Sequence, residues 1–528
     1  MPIQQLLARQ RIVARPGFNR WLVPPAALAI HLCIGMAYGF SVFWLPLSRA
    51  LGVTAPVACL NLTLPAALFT TACDWRVSDL GWIYTLFFVF LGSSAALWGG
   101  WLERSGPRKA GVVSAICWCG GIVLAALGVI VHQLWIMWLG AGVLGGIGLG
   151  LGYISPVSTL IKWFPDRRGM ATGMAIMGFG GGAMIGAPLA DRLMTHFRSP
   201  ASVGVWQTFL VLAAIYFVSM MAGAFSYRVP PPGWQPGQAR RPDDARRAKS
   251  GSVHLRDAHR TKQFWLIWAV LCLNVSAGIG VIGMASPMLQ EIFGASAAVA
   301  AGFTGLISLF NIGGRFFWAS LSDRIGRKAT YYTFFILGIA LYTLVPTAAR
   351  TGSQAVFVLA ICVIVSMYGG GFATIPAYLA DIFGTQFVGA VHGRLLTAWS
   401  TAGIIGPVVV NYIREAQLAA GVPRQQVYDF TMYILAGMLV FGLIANALVK
   451  TLDDRWFMKE EARIPDPGSR VPDPASHLRQ GFGGQAIEIG RGAFDPRAAL
   501  AWTAVGVPIA WGVWVTLSQA LVLLSNRV

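Results

Sequence analysis

Long apolar stretches separated by short polar segments run through the whole chain. Thirteen of them are about 19 residues or longer, enough for a helix to cross a hydrocarbon core about 30 Å thick. This pattern predicts an all-α integral membrane protein. The predicted spans 1 to 13 lie at 21–47, 80–102, 110–132, 134–161, 170–190, 204–226, 264–289, 299–322, 330–348, 355–380, 395–413, 430–449 and 498–524.

The basic residues predict how these spans are oriented. With the N-terminus inside, 31 of the 40 Lys and Arg residues fall in cytoplasmic segments and 8 in outer segments. Because cytoplasmic segments of membrane proteins are enriched in Lys and Arg, we predict a cytoplasmic N-terminus. The apolar run that begins at Trp21 is too long for the core of a signal peptide, so we expect it to remain in the chain.

Composition narrows the class of protein further. Only 12% of the residues are charged, against about 25% in soluble domains, and the mean hydropathy is +0.62. The basic residues that give the net charge of +19 lie in the short segments between the spans and not along one binding surface, so we expect no nucleic-acid partner. Arginine outnumbers lysine 33 to 7, which points to a bacterial chain and hence to the bacterial inner membrane. Cys59 and Cys73 share the first outer loop, where a disulfide and two free thiols both stay open.

The two halves of the chain repeat each other. Residues 103–106 after span 2 match residues 323–326 after span 8 at an offset of 220, and Pro156 and Pro376 are separated by the same offset. Each half has an even number of spans, so the repeat is parallel, with its axis along the membrane normal. The predicted organisation is a six-helix half at 1–226, a cytoplasmic linker at 227–263, a second six-helix half at 264–450, a second linker at 451–497 and an extra transmembrane helix at 498–528.

The repeated loop resembles a motif of the major facilitator superfamily. The segment 99–109 follows the family pattern Gly-x-x-x-Asp-Arg-x-Gly-x-Arg-Arg with Glu in place of Asp, and the second copy at 319–328 has Ala in place of the first Gly. The resemblance implies the major facilitator fold, with two parallel six-helix bundles and a charge cluster that holds one gate state. The residues expected in this cluster are Glu103, Arg104, Arg108, Asp323, Arg324 and Arg327.

One charged residue lies deep inside a predicted span. Arg315 precedes Asp323 by 8 residues, so it lies about 12 Å from the cytoplasmic end of span 8. An arginine near the bilayer centre costs at least about 2.5–3.5 kcal/mol, and no Asp or Glu lies at that depth in any predicted span. Its planar donor fork fits a carboxylate, which predicts an anionic substrate. Neutralisation by backbone carbonyl groups is the structural alternative.

The residues around this arginine resemble the oxalate:formate antiporter family. The match covers Asn311 to Trp318 in span 8 and the segment 162–173 between spans 4 and 5. In that family the substrate lies between a span-8 arginine and a span-11 lysine, inside a box of aromatic rings. The resemblance assigns the arginine to Arg315, with Asn311 one turn earlier on the same face. It assigns the aromatic positions to Tyr38, Tyr153, Phe179, Tyr368 and Phe372.

The family lysine has no counterpart in this chain. Trp399 occupies the matching position of span 11, so a single fixed positive charge remains, which a monoanion balances better than a dianion such as oxalate. His31 lies seven residues before Tyr38, on nearly the same helix face. It could donate to the anion, carry a proton or be a hydrogen-bonded core residue. The thirteenth span resembles a small single-span partner of such transporters.

These features predict a secondary active transporter of small carboxylate anions that works by alternating access. Oxalate/formate-type exchange is the leading hypothesis. The alternatives are monocarboxylate uptake (formate, pyruvate or lactate) with possible proton coupling, and a transporter-like sensor. The sequence has no P-loop, metal-ligand cluster or nucleophile–base pair, so we expect no enzyme activity and no cofactor. The expected partners are the carboxylate and the lipid bilayer, and we expect a functional monomer.

Overall fold

The computed structural model describes residues 3–53, 57, 63–75, 77–231, 234, 251–295, 297–458 and 495–525. Within these ranges the regular structure is helical, and the only β-type pairing consists of three isolated bridges. A long helical segment lies at each of the thirteen predicted span positions. Ten segments of the described residues are long and apolar enough to cross a membrane. The prediction of an all-α membrane protein is confirmed.

The first six spans form the N-terminal half. Span 1 is an α-helix at Val23–Ile34 that continues as a 3-10 helix at Gly35–Phe43 and a short helix at Trp44–Leu47. Span 4 begins at Leu134–Met137, continues as a π-helix at Trp138–Gly145 and ends as an α-helix at Gly146–Trp163. The remaining spans are single helices: span 2 at Val77–Ser105, span 3 at Pro107–Ile130, span 5 at Arg168–Phe197 and span 6 at Val205–Ser226.

The next six spans form the C-terminal half, and span 13 follows them. Span 11 consists of two helices, Val388–Leu395 and Thr397–Ala419. The others are span 7 at Lys262–Phe293, span 8 at Ala297–Ile325, span 9 at Arg327–Arg350, span 10 at Gln354–Phe383, span 12 at Asp429–Leu448 and span 13 at Pro496–Ser525. Short helices and 3-10 turns lie at Ile3–Leu6, Arg9–Ile12, Arg20–Leu22, Leu64–Phe69, Leu255–Ala258, Arg424–Gln426 and Asp454–Trp456.

Two spans depart from the predicted continuous helices. Span 1 tightens to a 3-10 helix at Gly35, where its backbone lies against span 5. A Cβ atom on Gly35 would approach the carbonyl carbon of Phe179 to 2.8 Å, so only glycine permits this contact. Span 11 begins at Val388, seven residues before the predicted start, and its two helices meet at Leu396. The added segment carries its own side chains into the interior of the bundle.

The two repeated loops have the same backbone conformation. Gly106 has φ +87° and Gly326 has φ +90°, and each is the last residue before a helix that starts one position later. This region of φ is open to glycine and costly for other residues, which explains why both copies of the loop carry glycine there. Both loops lie at the same end of the bundle, which we call the gate face, defined by residues 103–109 and 323–329.

The described ends of the two linkers pack together beneath the C-terminal half. Val253 pairs with Phe457 in an isolated bridge, and the backbone N–H of Val253 also donates to the Phe383 carbonyl oxygen at 2.9 Å. Residues 235–250 and 459–494 lie outside the described residues. In the loop between spans 1 and 2, Cys73 is disulfide-bonded, whereas Cys59 lies outside the described residues.

Span 13 packs across the seam between the two halves. It contacts span 5 in one half and span 8 in the other, and most of the surface of Pro496–Val515 faces outward. The Trp502 indole N–H donates to the Trp21 carbonyl oxygen at 3.1 Å, and the Arg192 guanidinium lies 5.3 Å from the Trp511 ring. The extra helix is therefore attached to the bundle by specific contacts near its start and at its middle.

Candidate binding site between the two halves

Arg315 is completely buried at the interface of spans 5, 8 and 10. Its Nε donates to Asn311 Oδ1 at 3.1 Å, and its Nη1 donates to the Ile176 carbonyl oxygen in span 5 at 3.0 Å. Its Nη2 has no hydrogen-bond partner among the described residues. One main-chain oxygen and one amide oxygen accept hydrogen bonds from the guanidinium. Both acceptors are neutral, so they do not balance its positive charge.

The charge of Arg315 is not balanced by a carboxylate. In the described part of the chain, no Asp or Glu forms an ion pair with this guanidinium. Instead its Cζ lies 5.9 Å from the Tyr38 ring and 5.8 Å from each of the Phe179 and Phe372 rings. The faces of aromatic rings attract a cation, but by about 2 kcal/mol or somewhat more when desolvated, which is less than the cost of burying the charge. The ring contacts therefore offset only part of the cost of burying this charge.

Small residues allow the helices to close around Arg315. A Cβ on Gly173 in span 5 would lie 2.8 Å from the Arg315 carbonyl oxygen, and one on Gly180 would lie 2.9 Å from Ile312. In span 10, a Cβ on Gly369 would lie 3.1 Å from Arg315 Cγ. These glycines let the backbones of spans 5 and 10 approach span 8 closely, which is how the side chain becomes buried.

Trp399 lies at the centre of a cluster of aromatic rings. Its ring centroid lies between 4.3 and 6.3 Å from those of five other aromatic residues, and its Nε1 has no hydrogen-bond partner among the described residues. The Tyr38 and Tyr368 hydroxyl groups are 3.2 Å apart, which links span 1 to span 10 across the two halves. The five rings around Trp399 are those of Tyr38, Phe88, Tyr153, Phe179 and Phe372.

All the aromatic positions named from the sequence lie in or beside this cluster, and span 2 adds one that the sequence analysis missed. The ring of Phe88 is 5.3 Å from Trp399 and 6.1 Å from Tyr38. A signal existed, because Phe88, Gly92, Gly99 and Glu103 recur at helical spacing on one face of span 2. That face meets span 11, since a Cβ on Gly99 would lie 2.7 Å from the Ala390 Cα.

His31 is tied to two neighbouring helices. Its Nδ1 contacts the Ala175 carbonyl oxygen in span 5, and its Nε2 lies 3.2 Å from the Tyr153 carbonyl oxygen in span 4. The ring also packs 5.4 Å from the Tyr153 ring and edge-on against Phe179 at 6.4 Å. A neutral imidazole can donate from only one of these nitrogens. His31 thus lies within the cluster, with both ring nitrogens directed at main-chain oxygens.

His392 is a second buried histidine that the sequence analysis did not identify. It is 1% exposed, and neither ring nitrogen has a hydrogen-bond partner in the described residues. Its ring lies 5.8 Å from that of Tyr153, whose hydroxyl group is also unpartnered. The predicted start of span 11 at 395 left this residue in a loop, whereas the structure places it within the helix Val388–Leu395.

Asp323 joins the two halves at the gate face. Its Oδ1 accepts from the Gly169 N–H and its Oδ2 from the Met170 N–H, both at 2.8 Å. These N–H groups belong to the first turn of span 5, where a carboxylate is favoured by the helix dipole. Arg327 Nη2 lies 2.5 Å from Asp323 Oδ1, and its Nε donates to Asp381 at 3.3 Å.

Glu103 makes the pseudo-symmetric link. Its Oε1 accepts from the Gly389 N–H in the first turn of span 11 at 3.1 Å and from the Ser158 hydroxyl group at 2.9 Å. Its Oε2 pairs with Lys162 Nζ at 2.5 Å. Each acidic residue of the repeated loop therefore caps a helix of the opposite half, so the two halves are joined at the gate face in this conformation.

The remaining predicted gating residues, Arg104, Arg108 and Arg324, do not make the two links between the halves described above. Arg108 donates to the carbonyl oxygens of Leu6 and Phe225, both at 3.0 Å, and so anchors the N-terminal segment and span 6. Arg104 and Arg324 are exposed at the gate face. A residue outside the motif, Lys162, supplies the cation next to Glu103.

Comparisons with known proteins agree with this architecture. The family profile described as Major Facilitator Superfamily matches residues 51–407. The oxalate:formate antiporter of Oxalobacter formigenes is 27% identical over 398 residues, which are 74% of this chain and 83% of that protein. The apicoplast pyruvate carrier 1 of Toxoplasma gondii is 25% identical over 382 residues, 60% of this chain and 66% of that protein. Among solved structures, the chain aligns with the proton:xylose symporter XylE bound to 6-bromo-6-deoxy-D-glucose at a TM-score of 0.59. The alignment covers 82% of this chain and 97% of XylE at 16% identity, so it bears on the fold alone.

Proposed function

The chain belongs to the major facilitator superfamily, a family of membrane transporters rather than enzymes, and from this premise we propose that it moves small carboxylate anions by alternating access. The two halves would rock about the site at their interface and expose it to each side of the membrane in turn. The proposed membrane is the bacterial inner membrane, with the N-terminus and the gate face in the cytoplasm, and the proposed functional unit is a monomer.

One observation carries this proposal: the Nη2 of a fully buried arginine lacks a partner. Three unpartnered donors of the described residues lie around the cluster, namely Arg315 Nη2, Trp399 Nε1 and the Tyr153 hydroxyl group. Donors without acceptors, next to a charge without a counter-charge, are complementary to an anion. A sugar or a cation would leave the charge of Arg315 unbalanced.

The planar guanidinium favours a carboxylate as the anion. Its N–H groups form a fork whose spacing matches the two oxygens of a carboxylate group, and the surrounding rings offer apolar walls for a small organic body. The relatives support the same class, since one is named an oxalate:formate antiporter and another a pyruvate carrier. We propose oxalate/formate-type exchange as the activity.

A monocarboxylate carrier is the second candidate. Trp399 stands where the resemblance expects a lysine, so Arg315 is the one fixed positive charge that the described aromatic cluster contains. A single cation balances formate, pyruvate or lactate, whereas oxalate would carry an excess negative charge into the apolar cluster. The relative preference for mono- and dicarboxylates separates the two candidates.

The closed conformation fits alternating access. The side chains of Arg315, Trp399 and Tyr153 are all fully buried, so the site is closed to solvent. Asp323 and Glu103 cap helices of the opposite half and hold the gate face together. Release of these caps would let the halves separate on that side.

The test is counterflow in proteoliposomes. Vesicles that contain the purified full chain are loaded with unlabelled oxalate, formate or pyruvate, and entry of the labelled compound is measured. We expect the wild type to accumulate at least one label transiently, and Arg315→Gln to abolish this accumulation because the counter-charge is lost. Arg315→Lys retains the charge but loses the fork, so it should retain a small part of the activity.

The matched control is Arg260→Gln, which removes an exposed arginine near the C-terminal half whose nearest carboxylate partner is Asp257 at 3.6 Å. This variant should transport like the wild type. Counterflow of carboxylates that survives Arg315→Gln at the wild-type rate would refute the role of Arg315. Counterflow of a sugar or a cation, with none of any carboxylate, would refute the proposed function itself.

A further inference from the structure

His392 is a buried group that can bind a proton and that the proposed transport cycle leaves without a role. It is 1% exposed, and both of its ring nitrogens lack a hydrogen-bond partner among the described residues. Buried polar groups in proteins are nearly always hydrogen-bonded, so an imidazole with two free nitrogens needs an explanation. His31, the other histidine at the site, differs because both of its nitrogens face main-chain oxygens.

His392 lies between the aromatic cluster and the gate face. It is four residues after Val388, the start of span 11, and so about 6 Å from that end of the helix. It precedes Trp399 by seven residues, across the junction of the two helices of span 11 at Leu396. The Tyr153 ring contacts both of them, at 5.8 Å from His392 and 5.4 Å from Trp399. His392 therefore lies on the gate-face side of the cluster, in contact with Tyr153.

Among the described residues, the acidic side chains on the elements packed around His392 already have partners. Glu103 accepts from Lys162 and from Gly389, and Asp257 lies 3.6 Å from Arg260. Arg394 donates to the backbone and contacts His259, and Asp381 pairs with Arg327. The titratable and charged groups at this end of the elements packed around His392 are Glu103 and Arg104 in span 2, His31 in span 1, Tyr153 and Lys162 in span 4, Tyr368, Tyr378 and Asp381 in span 10, Arg394 in span 11, and His254, Arg256, Asp257 and His259 in and around the helix Leu255–Ala258.

From this geometry we propose that His392 is the proton-binding group of the transporter and that it binds a proton together with the carboxylate. The inference rests on the proposed carboxylate transport, in its monocarboxylate form, and deepens it by naming a co-transported ion. A buried imidazolium without an acceptor is costly, and a carboxylate in the adjacent cluster supplies the missing negative charge. Occupancy by the anion and protonation of His392 therefore favour each other, which is what coupling requires.

The charge balance of the cycle follows from the residues. The empty site carries the permanent charge of Arg315. A monocarboxylate brings one negative charge and the proton on a His392 ring nitrogen brings one positive charge, so the loaded site has the same net charge as the empty one. On release the imidazolium gives its proton to water as the carboxylate departs. One carboxylate and one proton cross together, without net charge.

The experiment measures proton entry directly. Proteoliposomes of the full chain contain a pH-sensitive dye, and an inward gradient of pyruvate or formate is applied, with protein-free vesicles as the blank for passive permeation. We expect the wild type to acidify the lumen, and faster at lower external pH, because protonation of His392 is favoured there. His392→Gln and His392→Asn, which retain a polar side chain but cannot titrate, should lose this acidification while part of the counterflow remains.

His196→Gln is the matched control, because His196 is exposed at the far end of span 5, and it should acidify the lumen like the wild type. Acidification at the wild-type rate by either folded His392 variant would overturn the proposal. Loss of acidification in His31→Gln alone would overturn it as well and assign the proton to His31. Wild-type counterflow without any acidification would refute proton binding but leave the proposed function intact, whereas absence of all carboxylate counterflow would refute both.

Discussion

The link between Asp323 and span 5 can be tested by the neutral variant Asp323→Asn. The carboxylate accepts two N–H groups at 2.8 Å each and contacts Arg327, and its side chain is only 17% exposed. A hydrogen bond to a charged group contributes about 1.5–3 kcal/mol. The Asn side chain can accept from one N–H but directs its own NH₂ group at the other. We therefore expect a loss of about 2 kcal/mol, allowing for the contact that remains.

That loss should appear in amide hydrogen exchange at the start of span 5. A change of about 2 kcal/mol in the local opening equilibrium corresponds to about 30-fold faster exchange of the Gly169 and Met170 amides. Hydrogen–deuterium exchange mass spectrometry of the protein in lipid nanodiscs resolves the peptide 166–172. The rest of span 5 should change little, because its hydrogen bonds lie within the helix.

Asp453→Asn is the matched control, since this aspartate has a 73% exposed side chain at the end of the C-terminal half. It should leave exchange at span 5 unchanged. If Asp323→Asn retains wild-type exchange at Gly169 and Met170, the carboxylate does not hold the two halves together. Faster exchange throughout the chain would instead indicate a loss of global stability and would refute a local role.

Two further substitutions test packing and charge at the site. Gly314→Ala places a Cβ 2.6 Å from the Ser366 Cα in span 10, so overpacking should cost about 1–3 kcal/mol and lower the thermal midpoint in detergent. In the control Gly313→Ala the added Cβ meets no atom within 4 Å, so this variant should keep the wild-type midpoint. Equal midpoints for the two variants would contradict the close contact of spans 8 and 10. Trp399→Lys adds a second positive charge to the aromatic cluster. In competition counterflow it should shift the substrate preference from formate towards oxalate by about tenfold, or about 1.4 kcal/mol. An unchanged substrate preference would place position 399 outside the substrate site.

Several features of this protein follow from its sequence alone because they depend on local composition. The thirteen spans are visible since a helix that crosses lipid needs about 20 apolar residues, whatever its neighbours are. The repeated loop is visible because its glycine and its acidic residue recur at a fixed offset, and the structure gives Gly106 and Gly326 the same positive φ. Arg315 could be identified because a buried charge is anomalous in any apolar helix.

The tertiary structure decided which residues meet. Hydrophobic periodicity cannot indicate that Glu103 caps span 11, or that Lys162 rather than Arg108 neutralises it, because these contacts join helices far apart in sequence. Phe88 and His392 became candidates only once spans 2 and 11 were placed around Tyr153 and Trp399. The physical reason is that apolar sequence fixes which segments enter the membrane, whereas close packing of glycine-rich faces between helices fixes which side chains share a site.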